Sequence, residues 1–141
     1  MASPTNLSVQ SLFDIKGWVC VVTGGGSGLG LITARALSAN GAKVYITGRR
    51  AEKLKDAEGK DPSGGEIIAL QMDVTSKDSI RSGVAAIAAR EKCVNLLVNN
   101  AGVTSENYGE KGMPTGDIKT ISEAMMSDQD FEDWTSIYSV N

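Results

Sequence analysis

The chain has 141 residues, the size of one ordinary domain, and its 41% hydrophobic and 22% charged residues are the proportions of a folded globular protein. A net charge of −3, with acidic and basic residues mixed along the chain, argues against non-specific binding to nucleic acid or to an anionic membrane. Histidine is absent, which excludes Ser-His-Asp and Cys-His catalysis and every zinc site that needs imidazole.

The N-terminal segment and the two cysteines indicate a reducing compartment. Residues 1–17 lack a charged region followed by a continuous apolar run, so no signal peptide is predicted, and no run is long enough for a membrane span. Cys20 and Cys93 lie in or beside apolar runs, and we expect buried, reduced thiols rather than a disulfide or a metal pair. The expected location is therefore cytoplasmic, without membrane or nucleic-acid partners and without a metal.

Hydrophobic patterns predict strands and helices in alternation through the first hundred residues. Residues 1–12 are polar and aperiodic, and we interpret them as a loose leader before a domain at residues 13–141. Buried strands, rich in residues that favour β-structure, are predicted at residues 18–23, 43–47, 66–72 and 94–98. Helices are predicted at residues 51–58, at 76–90, and at 27–40 with Leu29, Ile32 and Ala36 on one face. This order predicts a parallel sheet with right-handed crossovers and helices on both faces.

The region after the fourth predicted strand has a weaker pattern. Residues 103–128 show no clear periodicity until Ile118, and a connection of that length indicates function or mobility, although no role is predicted for residues 103–130. From Asp130, as the N-cap, the pattern is helical again to the last residue, with apolar side chains at helical spacing: Phe131, Trp134, Ile137 and Tyr138.

A glycine-rich loop, residues 23–30 (TGGGSGLG), joins the first predicted strand to the first predicted helix. It offers backbone N–H donors, a helix N-terminus and no bulky side chain, which are the features that bind phosphate. Leu31 stands where a P-loop needs lysine, and Leu29 stands where G-x-G-x-x-G needs its last glycine. The alternative is a tight turn that binds no ligand. The spacing that fits is T-G-x-x-x-G-x-G: Thr23, Gly24, Gly28 and Gly30.

Three further segments accompany this loop: Asp73-Val74 after the third predicted strand, Asn-Asn-Ala-Gly at 99–102 after the fourth, and a helix ending in Val-Asn at 140–141. In order and spacing, the four motifs resemble the classical short-chain dehydrogenase/reductase family over residues 12–141. The resemblance implies an α/β fold, a Rossmann-type doubly wound parallel sheet, of which this chain holds the part up to about the fourth strand and the following helix.

The resemblance also implies a nicotinamide dinucleotide site. Thr23 and Asn99 would tie the glycine loop to the fourth strand, and Asp73 would accept a hydrogen bond from the adenine amino group, with the Val74 backbone beside it. The Asn-Ala-Gly segment at 100–102 would line the adenosine ribose and help to hold the central sheet. The full predicted set is Thr23, Gly24, Ser27, Gly28, Leu29, Gly30, Arg49, Arg50, Asp73, Val74, Asn99, Asn100, Ala101 and Gly102.

The end of the second predicted strand favours NADP over NAD. An acidic residue there would bind the ribose hydroxyls of NAD, whereas arginine would pair with the 2′-phosphate of NADP. This chain has Gly48 at that position, followed by Arg49 and Arg50, and guanidinium groups suit phosphate. The alternative is that both arginines are solvated residues at a helix start.

The family's catalytic residues are mostly missing from this sequence. Its members transfer hydride with a tyrosine acid/base, a lysine four residues later and a serine. The residues four positions after Tyr45 and Tyr108 are arginine and glycine, and Tyr138 lies too near the end, so no Tyr-x-x-x-Lys exists. Asn141 matches the family's helix asparagine, which helps to position a proton-relay water.

Two functional hypotheses remain, and both involve NADP(H). The first is part of a carbonyl reductase or alcohol dehydrogenase that acts on a small-molecule carbonyl or alcohol, is a homo-oligomer when complete, and is inactive as these 141 residues alone. The second is a non-catalytic, truncated nucleotide-binding remnant. Another Rossmann enzyme, such as a methyltransferase, is disfavoured because it would not explain the Asn-Asn-Ala-Gly segment.

Overall fold

The computed structural model describes residues 8–103, 116–127 and 131–140. The chain divides into two compact units, Met1–Asn100 and Ala101–Asn141. The described strands of the first unit are β1 (Val19–Thr23), β2 (Lys43–Gly48), β3 (Gly59–Lys60), β4 (Glu66–Gln71) and β5 (Leu96–Val98). Its helices are α1 (Val9–Leu12), α2 (Gly28–Ala39), α3 (Ala51–Lys55) and α4 (Lys77–Ala88). The second unit contains α5 (Ile118–Ser127) and α6 (Phe131–Val140).

The strands form one sheet in the order β3-β4-β2-β1-β5. Strands β4, β2, β1 and β5 are parallel, which confirms the predicted α/β, Rossmann-like arrangement. The short strand β3 pairs antiparallel with β4, in a segment after the helix predicted at residues 51–58, where no strand was predicted. The Glu58 side chain accepts a hydrogen bond from the Ala69 backbone N–H at 2.9 Å. Together, β3 and Glu58 cover backbone groups at this edge of the sheet, which would otherwise be open to other strands.

The core lies on both faces of the sheet, which explains the nearly continuous apolar strands. On one face, buried strand residues such as Val22 and Ile46 pack with Ala34 of α2 and Leu54 of α3. On the other face, a smaller cluster joins three strand residues to one residue of α4: Val19, Val21, Tyr45 and Ile87.

Helix α2 packs on the sheet through a different face from the one that the sequence suggested. Leu29 and Ile32 are 77% and 64% exposed, and Ala36 is also exposed. The fully buried residues of α2 are small, Gly30, Ala34 and Ser38, and the partly buried Leu31 and Leu37 pack beside them against the core. Small side chains allow the helix backbone to approach the strands closely, so apolar size was a misleading guide to its orientation.

The prediction that both cysteines are buried is half correct. Cys20 is fully buried, and burial raises the pKa of its thiol, but Cys93 is exposed, and both are free thiols. Cys93 precedes β5, which begins at Leu96 rather than at residue 94. Asn95 caps the strand start: its backbone N–H donates to Val19 O at 2.8 Å, and its Oδ1 accepts from Val19 N at 2.8 Å.

The second unit contributes two described helices. Helix α6 confirms the helix predicted near the C-terminus, and α5 begins at Ile118, where the pattern first becomes regular. Residues 104–115, Asp130 and the first seven residues lie outside the described ranges, and the domain limits at 1–12 and 13–141 stay predictions. Among the described helices, none combines the length and the hydrophobicity that crossing a bilayer requires.

Candidate functional site

The glycine loop lies at the carboxyl ends of the parallel strands, between β1 and α2. In an open α/β sheet this is the edge at which ligands bind. The other predicted residues of the first unit follow the ends of β2, β4 and β5 at the same edge: Arg49, Arg50, Asp73, Val74, Asn99 and Asn100.

Backbone contacts shape the glycine loop. Gly24 and Gly28 have positive φ angles, +67° and +53°, which favour glycine. The Gly25 N–H donates to Thr47 O at 3.1 Å, and a Cβ on Gly25 would lie 2.7 Å from Ile46 Cγ2. A Cβ on Gly26 would lie 3.2 Å from a Leu54 methyl group. The loop is therefore fixed against both β2 and α3.

One side of the loop is open to a ligand. A Cβ added to Gly28 would meet nothing within 4 Å, so the space above it is free of protein atoms. The first turn of α2 contains no acidic residue, and its N-cap, Ser27, makes no side-chain capping hydrogen bond. The first N–H groups of α2 thus lack a capping side chain and point where an anion can bind. The free space above Gly28 and the uncapped N–H groups of α2 together fit the pyrophosphate of a dinucleotide.

Asn100 is the residue that fastens β5 to the glycine loop. Its backbone N–H donates to Thr23 Oγ1 at 3.0 Å, and its Nδ2 donates to Thr23 O at 2.9 Å and to Gly24 O at 3.3 Å. Thr23 Oγ1 also donates to Val98 O at 3.4 Å. The expectation that Asn99 makes this connection is wrong, because Asn99 is exposed and its neighbour holds the position. We refer to the Thr23–Asn100 contacts as the latch.

Gly30 has a packing role beside the latch. A Cβ on Gly30 would lie 2.5 Å from Gly24 O and would collide with Asn100 Nδ2. Gly28 and Gly30 therefore have different roles, although the motif contains both as glycines. Gly28 leaves space for a ligand, and Gly30 leaves space for the Asn100 amide.

Arg50, the second of the two arginines, has a side-chain hydrogen bond to the glycine loop. Arg50 Nη2 donates a hydrogen bond to Ser27 Oγ at 3.2 Å, which brings this guanidinium to the glycine loop. After the hydrogen bonds from Thr75, the charge of Arg49 makes a smaller contribution to the lowered carboxyl pKa of Asp73, and the backbone Arg49 O accepts from Gln71 Nε2 at 3.0 Å. Gly48, the last residue of β2, carries no side chain that would repel a phosphate.

Asp73 is held in a turn by residues that the sequence analysis did not single out. Its Oδ1 accepts from the Thr75 backbone N–H at 2.9 Å and from Thr75 Oγ1 at 2.7 Å, and its own N–H donates to Ser79 Oγ at 2.9 Å. The hydrogen bonds from Thr75 hold the pKa of Asp73 below its usual range. Both Thr75 bonds use Oδ1, so Oδ2 remains for a ligand. The Asp-x-Thr spacing is the signal that could have identified this turn.

Val74 and Asn99 line a groove of about 470 Å³ on the α4 side of the sheet. Its walls are mostly apolar and include Val21, Met72 and Leu97. Leu29, also predicted for the site, is exposed at the start of α2. Ala101 and Gly102 belong to the second unit, and Asn141 lies outside the described residues.

Tyr45 is a structural tyrosine. Its hydroxyl donates to Glu91 Oε1 at 2.7 Å, and the same oxygen accepts from Lys43 Nζ at 2.8 Å. Burial and the bond to Glu91 raise the pKa of Tyr45 to about 12. Lys43 begins β2, so this cluster lies at the amino ends of the strands, away from the glycine loop. Tyr45 is thus unsuited to act as an acid/base at the candidate site.

The chain matches a family model and many curated proteins. The model described as short chain dehydrogenase matches residues 18–141. The short-chain dehydrogenase/reductase VdtF of Byssochlamys spectabilis is 44% identical over 138 residues, which cover 96% of this chain and 45% of VdtF. PhomF of Diaporthe leptostromiformis, which has the same family name, is 46% identical over 99 residues, covering 70% of this chain and 34% of PhomF. The chain thus spans less than half the length of these relatives.

Solved structures agree with the fold. A metagenomic short-chain oxidoreductase in complex with NADP has a TM-score of 0.69 and 30% identity, over 90% of this chain and 51% of that one. A short-chain type dehydrogenase/reductase from Mycobacterium ulcerans has a TM-score of 0.70 and 29% identity, over 89% of this chain and 42% of that one.

Proposed function

The chain belongs to the short-chain dehydrogenase family, and on that premise we propose that it is the NADP(H)-binding portion of an oxidoreductase. In the complete protein, a bound nicotinamide would accept or supply hydride at a carbonyl or alcohol carbon of a small molecule. The complete protein would be a homo-oligomer, as the family resemblance implies, and the free thiols of Cys20 and Cys93 are consistent with a cytoplasmic location.

The open side of the glycine loop supports pyrophosphate binding. Gly28 leaves free space, and the start of α2 has neither a capping side chain nor a nearby carboxylate in its first turn. Asp73 Oδ2 would accept from the adenine amino group, with Val74 beside it. Asn100 would hold the loop in place through the latch, and Asn99, Ala101 and Gly102 would follow it along the ribose.

The observation that carries the choice of NADP is the position of Arg50 beside the glycine loop, with Gly48 in place of a carboxylate. A guanidinium fork matches a phosphate group, and no acidic side chain at Gly48 repels it. The NADP complex of the metagenomic neighbour is consistent with this choice.

A second candidate function, a nucleotide-binding protein without catalysis, is favoured by one observation. None of the three tyrosines has a lysine four residues later, and Tyr45 is buried against Glu91. We therefore expect the 141 residues alone to bind nucleotide without turning over substrate. Asn141 would contribute to a proton relay only in the complete protein.

The cofactor choice is tested by Gly48→Asp. A Cβ at Gly48 would lie 3.6 Å from a Leu54 methyl group, an ordinary contact, so the substitution should fold. The new carboxylate would repel a 2′-phosphate, and we expect NADPH affinity to fall about tenfold or more in a fluorescence titration, with NADH affinity maintained. Gly59→Asp is the matched control, because a Cβ there meets nothing within 4 Å. Equal affinity of the unmodified chain for NADPH and NADH would contradict the proposal.

A further inference from the structure

We propose that Thr75 and Ser79 are positioning residues that present a single oxygen of Asp73, Oδ2, to the base of the bound dinucleotide. The site would thereby select adenine, which carries a 6-amino group, over hypoxanthine, which carries a 6-oxo group. This inference rests on the proposed function, and it concerns two hydroxyl residues near the start of α4 that lie outside the motifs of the sequence.

The polar groups of Asp73 are bound on three sides. Its backbone N–H donates to Ser79 Oγ at 2.9 Å, and its carbonyl oxygen accepts from the Ser76 N–H at 3.2 Å. Its Oδ1 accepts from the Thr75 N–H at 2.9 Å and from Thr75 Oγ1 at 2.7 Å. Among the residues that the structure describes, none donates to Oδ2. The turn therefore leaves Asp73 one acceptor atom with which to bind a ligand.

Helix α4 fixes the main chain at Asp73. The preceding residue, Met72, is buried and fills the space beside Gly83, where an added Cβ would lie 2.7 Å from the methionine sulfur. Ser79 stands in the first turn of α4, and its N–H donates to Oγ of the N-cap residue, Ser76, at 3.3 Å. The Ser79 hydroxyl is therefore carried by a capped helix turn. Its bond to the Asp73 N–H holds the carboxyl group at a fixed distance from α4.

The ionised carboxyl group of Asp73 decides which base it accepts. The hydrogen bonds from Thr75 hold the pKa of Asp73 below its usual range, so at neutral pH its Oδ2 can only accept a hydrogen bond. The 6-amino group of adenine donates, whereas the 6-oxo group of hypoxanthine is a second acceptor, which the carboxylate repels. Because Thr75 holds Oδ1, the carboxyl group is ordered before the base binds, which reduces the entropy that binding costs.

The test compares NADP⁺ with its deaminated analogue, nicotinamide hypoxanthine dinucleotide phosphate, by calorimetric titration of the 141-residue chain. The same titrations are made with the variants Thr75→Val, Thr75→Ser, Ser79→Ala, Ser79→Thr, Asp73→Asn, Asp73→Ala and the double variant Asp73→Ala/Ser79→Ala.

Two matched controls make the same chemical changes elsewhere in the chain. Ser82→Ala removes the hydroxyl of an exposed serine of α4, one turn after Ser79. Thr120→Val removes a threonine hydroxyl that donates to a carboxylate, Asp117 Oδ1, at 2.8 Å, which is the kind of bond that Thr75 makes to Asp73. Both controls should leave the ratio of the two affinities unchanged.

We expect the unmodified chain to prefer NADP⁺ by about tenfold or more, the scale of a hydrogen bond to a charged group. Thr75→Val and Ser79→Ala should each reduce this preference about threefold, and Thr75→Ser and Ser79→Thr, which keep the hydroxyls, should preserve it. Asp73→Ala should abolish the preference. The double variant should behave as Asp73→Ala does, because Ser79 acts through the carboxylate.

Asp73→Asn gives the sharpest expectation, a reversed preference. The Thr75 donors need an acceptor, so the amide oxygen of the new side chain should take the place of Oδ1. The amide NH₂ then takes the place of Oδ2, where it donates to the 6-oxo group of hypoxanthine and opposes the 6-amino group of adenine. An amide free to turn over would instead serve both bases.

Three results would overturn the inference. If Thr75→Val and Ser79→Ala weaken both dinucleotides alike, the two hydroxyls support the fold and do not position Asp73. If Asp73→Asn binds both dinucleotides equally, Thr75 does not fix which atom faces the base, and this test holds even if Ser79→Ala fails to fold. If the unmodified chain binds both equally while it still prefers NADPH to NADH, Asp73 does not read the base and the proposed function stands. If the chain binds neither, the proposed NADP site fails and this inference with it.

Discussion

Gly30→Ala should destabilise the first unit, although the change adds only one methyl group. The new Cβ would collide with Asn100 Nδ2 and lie 2.5 Å from Gly24 O. One of these neighbours is backbone, and the other is an amide that bonds to Thr23 O and Gly24 O. Neither can move without breaking the latch between β5 and the glycine loop.

The expected cost follows from two terms. Overpacking of a filled site costs roughly 1–3 kcal/mol, and each lost hydrogen bond costs about 0.5–1.5 kcal/mol. The free energy of unfolding should therefore fall by about 2–5 kcal/mol, a large part of the total for a domain of this size. Urea unfolding followed by circular dichroism measures the change.

Two comparisons test whether the collision of the new methyl group causes the loss of stability. Gly59→Ala, with open space around its Cβ, is the control and should leave stability nearly unchanged. Asn100→Ala should remove part of the penalty of Gly30→Ala, because it deletes the atom with which the methyl group collides, so the double variant should be more stable than additivity predicts. A Gly30→Ala chain as stable as the unmodified one would refute the packing role of Gly30.

Three further outcomes are expected. Hydrogen bonds from Lys43 and Tyr45 lower the pKa of Glu91, so this carboxylate stabilises the fold above its unfolded-state pKa, and the contribution is lost as the pH falls through the lower folded pKa. Glu91→Gln should therefore flatten the acid side of a plot of Tm against pH, and an unchanged acid side would contradict this. Ser76 Oγ accepts from Ser79 N and caps α4, so Ser76→Ala should lower the free energy of unfolding by about 1 kcal/mol in urea, whereas Ser27→Ala should not. The 141-residue chain should show no NADPH oxidation with a panel of ketones and aldehydes, and turnover would contradict the proposed inactivity.

The strands could be predicted because each is an apolar run bounded by glycines or charges. The predicted limits of the strands corresponding to β1, β2 and β4 agree with the structure to within one residue at each end. The last predicted strand was two residues too long at its start, because Asn95 uses its backbone and side chain to bond Val19. These two hydrogen bonds between neighbouring strands thus fix the start of β5, which the run of apolar residues did not indicate.

The packing face of α2 could not be predicted from hydrophobicity. The predicted face contained Leu29 and Ile32, but Gly30 and Ala34 are the buried residues because their size permits close approach to the sheet, and Leu31 and Leu37 pack beside them. Strand β3 escaped prediction for a related reason. It has two residues, and pairing with β4, supported by the Glu58 side chain beside it, defines it rather than any pattern of its own.

The motif predicted residues that lie at one edge of the sheet, but it could not predict the hydrogen bonds between them. Asn99 and Asn100 are adjacent and chemically identical, so spacing alone could not decide which one bonds Thr23. The choice depends on where β5 ends: the strand stops at Val98, and the backbone then turns the N–H and the amide of Asn100 towards Thr23. Contacts of this kind depend on the path of the chain, which the residue types do not specify.

The arginines show how far such contacts change a functional interpretation. As a sequence, Gly-Arg-Arg at 48–50 supports only the statement that positive charge follows β2. In the structure, Arg50 Nη2 donates to Ser27 Oγ at 3.2 Å, and α3 begins immediately after Arg50 and packs Leu54 beside Gly26. These contacts place the Arg50 guanidinium beside the start of α2, whose first N–H groups would bind pyrophosphate under the proposed function. The proposed preference for NADP therefore depends on where the positive charge is held, which the residue types at 48–50 do not specify.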